Sequence, residues 1–441
     1  MIRYYSTNNK NYLVSFKDAL LSGLAPDKGL YMSERFPVYD QNKLMEKDFR
    51  NLATYLAKLF IEEEIPEDEI KNICYDAFNF DVPLKRINDN IFILELFWGP
   101  TCAFKDFGAR FMALTMSYFL KKINKKIKIL VATSGDTGSA VAKGFYKVEN
   151  IDVLILYPSQ KVSLLQEKQL TTLGENITAL EVLGTFDDCQ AMVKEAFVDK
   201  DLNSRLNLCS ANSINIGRLI PQSFYYVWGY NRLKYLLNGI EPQLIYCTPS
   251  GNFGNLTGGL FAKRMGLNVK KFIAATNEND VVPEFLFTGK FNPRPSVTTY
   301  SNAMDVGNPS NFARMIDMYT KDNSSYWENM KKDIMGYKVS DEETLDTVKK
   351  IYEKTGYILD PHSAVGYKAI QKFKKDNESN NFNFIFLGTA HPAKFMDILE
   401  DKLGIKVDIP SQLQEALLKE KKSIKIKNIY SDLKDFLLQT K

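Results

Sequence analysis

The spacing of hydrophobic residues along the chain changes near residue 127. Before it, apolar residues recur every three or four positions in segments 15–24 ("SFKDALLSGL") and 45–61 ("MEKDFRNLATYLAKLFI"), which predicts helices. Segment 62–78 predicts a third helix that begins at Pro66, because proline and acidic residues suit a first helical turn. The N-terminal part of the chain is therefore predicted to be mainly helical.

After that point, short apolar runs alternate with helical stretches. Each run is four to eight residues long and is followed by turn residues: "IKILVAT", "DVLILY", "ITALEVL", "QLIYCT", "KFIAAT" and "NFIFLG". Nearly continuous apolar character over this length is typical of parallel strands buried on both faces. The sequence therefore predicts an α/β fold, in which ligands bind beyond the carboxyl ends of the strands.

Length and charge narrow the possible functions. The chain has 441 residues, enough for two or three domains, with 45% hydrophobic and 25% charged residues, as in ordinary globular proteins. Its 57 basic and 53 acidic residues leave a net charge of only +4. Basic runs such as "KKINKKIK" are interpreted as solvated faces. We therefore expect no nucleic-acid partner and no membrane partner.

Cysteine and histidine usage further restricts the chemistry. The five cysteines are far apart and form no CxxC pair, which indicates a cytosolic protein without a disulfide framework or a zinc site. The chain has only two histidines, His362 and His391, which argues against histidine-rich metal chemistry, and we expect no metal. The N-terminus has no signal-peptide pattern, and no window is apolar enough to span a bilayer. Catalysis is expected to depend on another group or on a cofactor.

A glycine-rich loop follows the run "QLIYCT". In "PSGNFGNLTGG", Gly251 and Gly254 permit a tight turn before a helix that begins near Asn255. Converging backbone N–H groups and a helix N-terminus suit a phosphate, although an ordinary strand-to-helix connection would show the same pattern. The loop lacks the lysine and hydroxyl residue of a nucleoside-triphosphate loop, which argues against ATP or GTP.

Two further loops carry candidate anion-binding groups. In "SGDTGSAVAKGF", residues 134–138 join a strand to a helix and could bind a small carboxylate or phosphate, or could simply cap the helix. In "SANSINIGRLIPQ", Arg218 lies near Asn212 and Ser213 and could grip a phosphate, or could form a surface ion pair. Loop 134–138 and loop 251–255, taken as two anion loops in one sheet, favour a site for two anionic groups.

The stretch "LFWGPTCAFKDFGARFMA" places Lys105 between Phe104 and Asp106, at the head of an apolar helix. A solvated lysine needs no such setting, whereas a lysine that must lose its proton and act as a nucleophile does. In "FLGTAHPAKF", Thr389 ends a strand, and His391 is interpreted as structural, as is His362 in "DPHSAVGY".

Taken together, these motifs resemble the threonine synthase family, pyridoxal-phosphate (PLP) enzymes of the tryptophan-synthase-β-like fold. The resemblance covers residues 95–395 and the N-terminal stretch "SFKDALLSGLAPDKGLYM". The motifs that carry it are "ELFWGPTCAFKDFGARF", "ATSGDTGSAVA", "LYPSQKVSLLQEKQLTTLG", "SANSINIGRL", "PSGNFGNLTGG", "AATNENDVVPEF", "SNAMDV" and "FLGTAHPAKF". Trp98 is a departure, since relatives often have histidine there, so any role of that histidine is not carried over.

The resemblance implies a set of site residues. Lys105 matches the lysine that forms the Schiff base with PLP, Thr389 the hydroxyl opposite the pyridine nitrogen, and Arg218 the grip on the substrate phosphate. The implied cofactor-binding residues are Lys105, Asp136, Gly251, Asn252, Phe253, Gly254, Asn255 and Thr389. The implied substrate-binding residues are Thr133, Ser134, Gly135, Thr137, Asn212, Ser213 and Arg218. Desolvation by Phe104, Phe107 and Trp98 is expected to disfavour the charged form of Lys105.

The implied fold is PLP fold type II, an α/β fold with two open, twisted, mostly parallel-sheet lobes and a helical N-terminal lobe. The expected division is an N-terminal helical lobe at 1–95, a smaller α/β lobe at 96–230 with the lysine and substrate loops, and a larger lobe at 231–441. The larger lobe is expected to carry the phosphate loop and a peripheral C-terminal tail. We expect a cytoplasmic monomer or homodimer.

The implied reaction converts O-phospho-L-homoserine and water to L-threonine and phosphate by γ-elimination and β-addition of water, the last step of threonine biosynthesis. One alternative on the same fold is a PLP-dependent phospho-lyase or dehydratase that yields 2-oxobutyrate. Another is a non-catalytic protein that kept the fold, against which the presence of Lys105 argues.

Overall fold

The computed structural model describes residues 1–41, 47–61, 63–133, 135–320, 325–377 and 381–439. Within these residues the strands form three sheets, of six, five and three strands. Strands and helices are numbered below in chain order.

The six-stranded sheet, called the large sheet, lies in the second half of the chain but takes two strands from the first half. Across the sheet, its strands are β12 (Ile334–Lys338), β11 (Lys271–Thr276), β10 (Leu244–Pro249), β13 (Asn383–Gly388), β5 (Ile91–Glu95) and β4 (Leu84–Asn88). All neighbours are parallel except β4, which pairs antiparallel with β5 at the edge. Every residue of β10 is buried, as expected of a central strand covered on both faces.

The five-stranded sheet, called the small sheet, is parallel throughout. Across the sheet, its strands are β14 (Ile424–Lys427), β8 (Ile177–Leu183), β7 (Ile151–Pro158), β6 (Ile127–Ala132) and β9 (Leu208–Ser210). Buried apolar side chains from its strands and covering helices form a separate core.

The third sheet is a small antiparallel one at the N-terminus. Its strands are β2 (Asn9–Val14), β1 (Tyr4–Ser6) and β3 (Tyr31–Ser33).

Helices cover and connect the sheets. Up to β6 these are α1 (Phe16–Ser22), α2 (Phe49–Ile61), α3 (Glu67–Ala77) and α4 (Lys105–Ile123). Around the small sheet they are α5 (Asp136–Phe145), α6 (Leu164–Thr171), α7 (Phe186–Val198), α8 (Lys200–Arg205), α9 (Ile216–Leu219) and α10 (Pro221–Leu236). The rest are α11 (Gly254–Arg264), α12 (Val281–Thr288), α13 (Phe312–Tyr319), α14 (Tyr326–Asp333), α15 (Asp341–Thr355), α16 (Pro361–Asp376), α17 (Met396–Leu399), α18 (Ser411–Leu418) and α19 (Tyr430–Gln439). Short 3₁₀ helices span Asn302–Met304 and Pro392–Phe395.

The α/β fold predicted from the apolar runs is confirmed, since the six runs coincide with β6, β7, β8, β10, β11 and β13. The three predicted N-terminal helices also form as α1, α2 and α3, although part of the predicted 45–61 segment and Glu62 lie outside the described residues. The expectation of a mainly helical N-terminus missed β1 to β5, because strands of three to six residues give too few alternations to register as a pattern.

Sheet membership departs from the expected lobe boundaries at two places. Strands β4 and β5, from the first expected lobe, belong to the large sheet, and β14, from the expected peripheral tail, extends the small sheet beside β8. Backbone hydrogen bonding between distant segments decides both placements, and local sequence does not encode it. The division into 1–95, 96–230 and 231–441 otherwise stays a prediction.

None of the described helices combines the length and the apolar character needed to cross a bilayer.

Candidate active site

Three candidate segments emerge from adjacent strands of the large sheet. Lys105 begins α4 after the loop that follows β5, Thr389 directly follows β13, and loop 250–255 directly follows β10. Because β10, β13 and β5 are parallel neighbours, their carboxyl ends lie at one edge of the sheet.

The small sheet contributes in the same way, so the expectation that both anion loops belong to one sheet is wrong: one follows β10 of the large sheet and the other follows β6 of the small sheet. Residues 133–138 follow β6, and the segment that holds Asn212 and Arg218 follows β9, the parallel neighbour of β6. Gly108 of α4 packs against Arg218, since a Cβ built on that glycine would lie 2.8 Å from the Arg218 carbonyl oxygen. The helix that carries Lys105 therefore contacts the Arg218 segment directly.

Backbone hydrogen bonds fix Lys105 beside Thr389. The Phe104 N–H donates to the Thr389 carbonyl oxygen at 2.9 Å, and the His391 N–H donates to the Cys102 carbonyl oxygen at 3.0 Å. These bonds extend the contact between the ends of β5 and β13 up to the start of α4.

The Lys105 side chain is half-buried and makes no hydrogen bond or ion pair with the described residues. Its Nζ lies 6.0 Å from the centroid of the Phe104 ring. Burial lowers the pKa of Lys105 to about 8, with Asp136 opposing the shift and Lys394 and Arg218 adding to it. An amine with this pKa loses its proton far more readily near neutral pH than an ordinary lysine.

Asp136, in the first turn of α5, is buried and ion-paired with Lys394, whose side chain is fully buried. The same carboxylate oxygen accepts a hydrogen bond from Gln166 Nε2 at 3.1 Å. Burial alone would raise the pKa of Asp136, but the ammonium groups of Lys394 and Lys105 hold it well below its usual range. Asp136 is therefore ion-paired with Lys394 and interacts electrostatically with Lys105 as well.

Asp106 shapes the loop that precedes Lys105. Its buried carboxylate accepts hydrogen bonds from the Thr101 N–H at 2.8 Å and the Thr101 hydroxyl at 2.7 Å. Burial raises the pKa of Asp106 to about 6 in spite of these bonds. Gly99 gives the carboxylate its space, since a Cβ there would lie 2.5 Å from Asp106 Oδ2.

Loop 250–255 has the geometry of a phosphate cradle. Phe253 adopts a left-handed conformation (φ 58°) ahead of α11, and a Cβ on Gly251 would lie 2.7 Å from Met304 Cα. Asn255 accepts a hydrogen bond from the Ser250 hydroxyl at 2.6 Å and donates one to the Pro249 carbonyl oxygen at 2.9 Å. The backbone N–H groups of Asn252, Gly254 and Asn255 have no acceptor in the described part of the chain. Free N–H groups at a helix N-terminus favour an anion.

The Ser213 side chain connects this cradle to the Arg218 segment. Its hydroxyl oxygen accepts hydrogen bonds from Asn252 Nδ2 at 2.7 Å and Asn311 Nδ2 at 3.2 Å. The fully buried Arg314 fixes this segment by donating hydrogen bonds to the carbonyl oxygens of Ser213 and Ile214. Sequence reasoning missed Arg314 and Asn311, because neither lies in a motif that follows a strand.

Arg218 and Asn212 retain unused hydrogen-bonding capacity. Arg218 is buried, and its Nη1 donates to the Ala211 carbonyl oxygen at 2.7 Å, so the sequence alternative of a surface ion pair is wrong. Arg218 Nε and Asn212 Oδ1 are buried without a partner among the described residues. Burial lowers the pKa of Arg218 to about 10, so the guanidinium remains charged near neutral pH. A buried, charged and incompletely paired arginine favours an anionic ligand.

The loop after β6 has both a capping role and free groups. The Thr133 hydroxyl oxygen accepts hydrogen bonds from the N–H groups of Gly135 at 3.0 Å and Gly138 at 2.8 Å, so Thr133 caps α5. Gly135 has φ 145°, and a Cβ there would lie 2.6 Å from the Gln166 side chain. The half-buried Thr137 hydroxyl makes no hydrogen bond within the described ranges. Ser134 lies outside the described residues.

The strand end at Thr389 and the two histidines complete the site. Thr389 is buried, and its hydroxyl has no hydrogen-bond partner among the described residues. His391 Nδ1 accepts from the Ala393 N–H at 3.1 Å, and burial lowers the pKa of His391. His362 bonds to Asp360 at 2.9 Å and accepts from the Ala303 N–H at 3.2 Å. Both histidines thus hold backbone turns.

The site can be tested against PLP by its chemistry. Within the described residues it offers an unpaired amine of lowered pKa at Lys105, a cradle of free N–H groups at Asn252, Gly254 and Asn255, and a free hydroxyl at Thr389. An aldehyde, a phosphate and a pyridine nitrogen would each find a suitable group. The residues present fit the cofactor.

Comparison with known proteins gives the same result. The profile of the family described as "Pyridoxal-phosphate dependent enzyme" matches residues 76–386. Profiles described as "Threonine synthase N terminus" and "Threonine synthase, C-terminal" match residues 3–78 and 363–437. Fold and site thus define a PLP-dependent enzyme of fold type II.

Similar proteins narrow the class. A threonine synthase of Buchnera aphidicola subsp. Acyrthosiphon pisum is 43% identical over 99% of this chain and 100% of its own. The threonine synthase of Escherichia coli K12 is 42% identical over 94% of each chain. The crystal structure of Escherichia coli threonine synthase superimposes with TM-score 0.90 over 100% of both chains, at 39% identity. A PLP-bound threonine synthase of Brucella melitensis superimposes with TM-score 0.91 over 99% of both, at 31% identity. The chain belongs to the threonine synthase family.

Proposed function

We propose that the chain converts O-phospho-L-homoserine and water to L-threonine and phosphate, with PLP held by the residues described above. The residue roles are assigned from one observation: two candidate anion sites surround Lys105, which has no ion pair within the described residues. Loop 250–255 offers free N–H groups, and the Arg218 segment offers a buried, incompletely paired guanidinium. The Asn252–Ser213 hydrogen bond of 2.7 Å joins the two. A phosphorylated substrate and a phosphorylated cofactor require two such sites.

The cofactor site is assigned to the large sheet. The N–H groups of Asn252, Gly254 and Asn255 would hold the cofactor phosphate, and Lys105 would offer its amine to the cofactor aldehyde. The bound cofactor supplies an electron sink for negative charge that develops on the substrate carbons. The Thr389 hydroxyl would offer the pyridine nitrogen a neutral hydrogen-bonding partner. Asp136 interacts electrostatically with Lys105 and would add negative charge to the cofactor site.

Proton transfer is assigned to Lys105. The Lys105 amine, when unprotonated, would take the proton from the substrate Cα and later return one. Its pKa of about 8 suits both directions near neutral pH. The substrate carboxylate is assigned to the N-terminal end of α5, because the positive end of a helix favours an anion. The residues assigned to hold it are Thr133, Ser134, Gly135 and Thr137.

Release of the substrate phosphate is assigned to Arg218 and its neighbours, which follow β9 of the small sheet. Arg218 donates to the phosphate from its unpaired Nε, and Asn212 and Ser213 contribute polar side chains beside it. A guanidinium that already lies in a buried site stabilises the charge on the leaving phosphate without reorganisation.

We infer a cytoplasmic location because the five cysteines are buried free thiols. We expect a monomer or homodimer.

The test is product analysis of the purified, PLP-loaded protein given O-phospho-L-homoserine. Threonine should form in step with phosphate, and Lys105→Met should abolish both. Phosphate with 2-oxobutyrate in place of threonine would make the protein a lyase, and no phosphate at all would reject the substrate.

A further inference from the structure

The Lys394 side chain is buried completely in the middle of the site. It forms an ion pair with Asp136 of α5, and its Nζ donates to the Thr101 carbonyl oxygen at 3.2 Å. Lys394 lies in the 3₁₀ helix after β13 of the large sheet, whereas Asp136 follows β6 of the small sheet. One ammonium thus joins the two sheets and the loop that leads to Lys105.

Stability alone is a weak reason for such a pair. Removing two charges from water opposes the gain from their attraction, and well-packed apolar side chains would serve as well. The position of the pair is more informative, since Asp136 interacts with Lys105 as well as with Lys394. One carboxylate thus interacts with two ammonium groups and is ion-paired with one of them.

We propose that Lys394 is a positioning residue that occupies Asp136, so that Lys105 is left without an ion-pair partner and can release its proton. The proposal rests on the proposed role of Lys105 as the amine that bonds to the cofactor. Without Lys394, the negative charge of Asp136 would no longer be neutralised by an ion pair, and it would stabilise the Lys105 ammonium more strongly. The repulsion that Lys394 exerts on Lys105 would also be lost.

Other charged and titratable groups interact with these three residues. They are Asp106, Cys102, Arg218, His362 and His391. Arg218 repels the Lys105 ammonium as Lys394 does, whereas Asp106 interacts with Lys394 and Arg218. All five remain in place when only Lys394 is changed, so a difference between the proteins reports on Lys394.

The experiment measures how the initial rate of PLP attachment to Lys105 depends on pH. Apoprotein is mixed with PLP, the bond is fixed with borohydride, and the modified Lys105 peptide is quantified by mass spectrometry. The unaltered chain should reach half of its maximal rate near pH 8. In Lys394→Met the midpoint should move upward by about one pH unit, because the amine then competes with a stronger ion pair.

Controls separate this effect from loss of structure. Lys350→Met removes the lysine of an exposed ion pair with Asp346 and should leave the midpoint unchanged. If Lys394→Met does not fold, Lys394→Gln takes its place, because its amide can still hydrogen-bond to Asp136 but carries no charge. The midpoint should rise in this variant too.

A folded Lys394→Met protein with an unchanged or lower midpoint would overturn the proposal and leave the ion pair a structural contact. The proposal also fails if the Lys394→Gln protein folds and has the same midpoint as the unaltered chain. Attachment of PLP elsewhere with Lys105 unmodified, in the unaltered chain, would instead overturn the role of Lys105.

Discussion

At the scale of single residues, the amine of Lys105 has no ion pair within the described residues because the carboxylates that could pair with it are bonded to other residues. The carboxylate nearest in sequence to Lys105 is Asp106, which is held by Thr101. Asp136 is ion-paired with Lys394 and bonded to Gln166. A half-buried amine without an ion pair costs folding free energy, as functional groups often do.

This cost leads to a prediction for Lys105→Met in the apoprotein. The lowered pKa of about 8 means that the folded state binds fewer protons than the unfolded state between pH 8 and 10.5. Stability of the unaltered chain therefore rises with pH through that window. Lys105→Met should raise the free energy of unfolding at pH 7 by about 1–3 kcal/mol, with the gain shrinking towards pH 10. Denaturant unfolding at both pH values measures it, and a gain independent of pH would contradict the argument.

Arg218 provides a second prediction at this scale. Arg218→Gln should lower kcat/KM for O-phospho-L-homoserine by about tenfold to hundredfold, since charge-assisted hydrogen bonds contribute roughly 1.5–3 kcal/mol each. The spectral response of bound PLP to an unphosphorylated amino acid should change little. Arg205→Gln, at an exposed arginine, is the matched control. An equal loss with both ligands would argue against a phosphate grip.

At the scale of elements, the phosphate loop depends on a close approach between two backbones. Gly251 lies against the 3₁₀ helix Asn302–Met304, and that helix is held by the Ala303 bond to His362. A side chain at Gly251 would push on backbone atoms, which cannot rotate away.

Gly251→Ala should therefore weaken PLP binding by about tenfold or more, because the loop must move by several tenths of an ångström. Equilibrium binding of PLP to the apoprotein measures the effect. Gly404→Ala is the control, since Gly404 has φ 67° in open space, so that backbone strain is added far from the loop. Equal PLP affinity in the Gly251 variant and the unaltered chain would show that the loop tolerates a Cβ.

At the scale of the whole molecule, the C-terminal segment completes the small sheet. Strand β14 pairs with β8, Lys421 forms ion pairs with Glu167 and Glu181, and α19 buries Leu433 and Leu437 in the core of the small sheet. The tail is thus part of the structure that carries the loop after β6.

Leu433→Ala should lower the free energy of unfolding by roughly 2–5 kcal/mol, as expected for a fully buried leucine. Leu418→Ala is the matched control, because Leu418 is 88% exposed and should change stability by less than about 0.5 kcal/mol. Thermal or denaturant unfolding compares the two. Similar values for both variants would mean that α19 does not contribute to the folded core.

The sequence by itself determined the α/β class, the main strands of both sheets and the loops after them. It could do so because runs such as "ILVAT" and "LIYCT" are buried on both faces, and this burial leaves a continuous apolar pattern. The order of the motifs also identified Lys105, the 251–255 loop and Arg218 as candidate site residues.

Only the tertiary structure decided the partners of these groups. The pairing of Asp136 with Lys394, of Ser213 with Asn252, and of Arg314 with two carbonyl groups joins residues far apart in the chain. The same holds for β5 and β14, whose places in the sheets depend on hydrogen bonds to distant strands. Local patterns report burial and backbone preference, whereas the electrostatics of the site depends on distances that the folded chain sets.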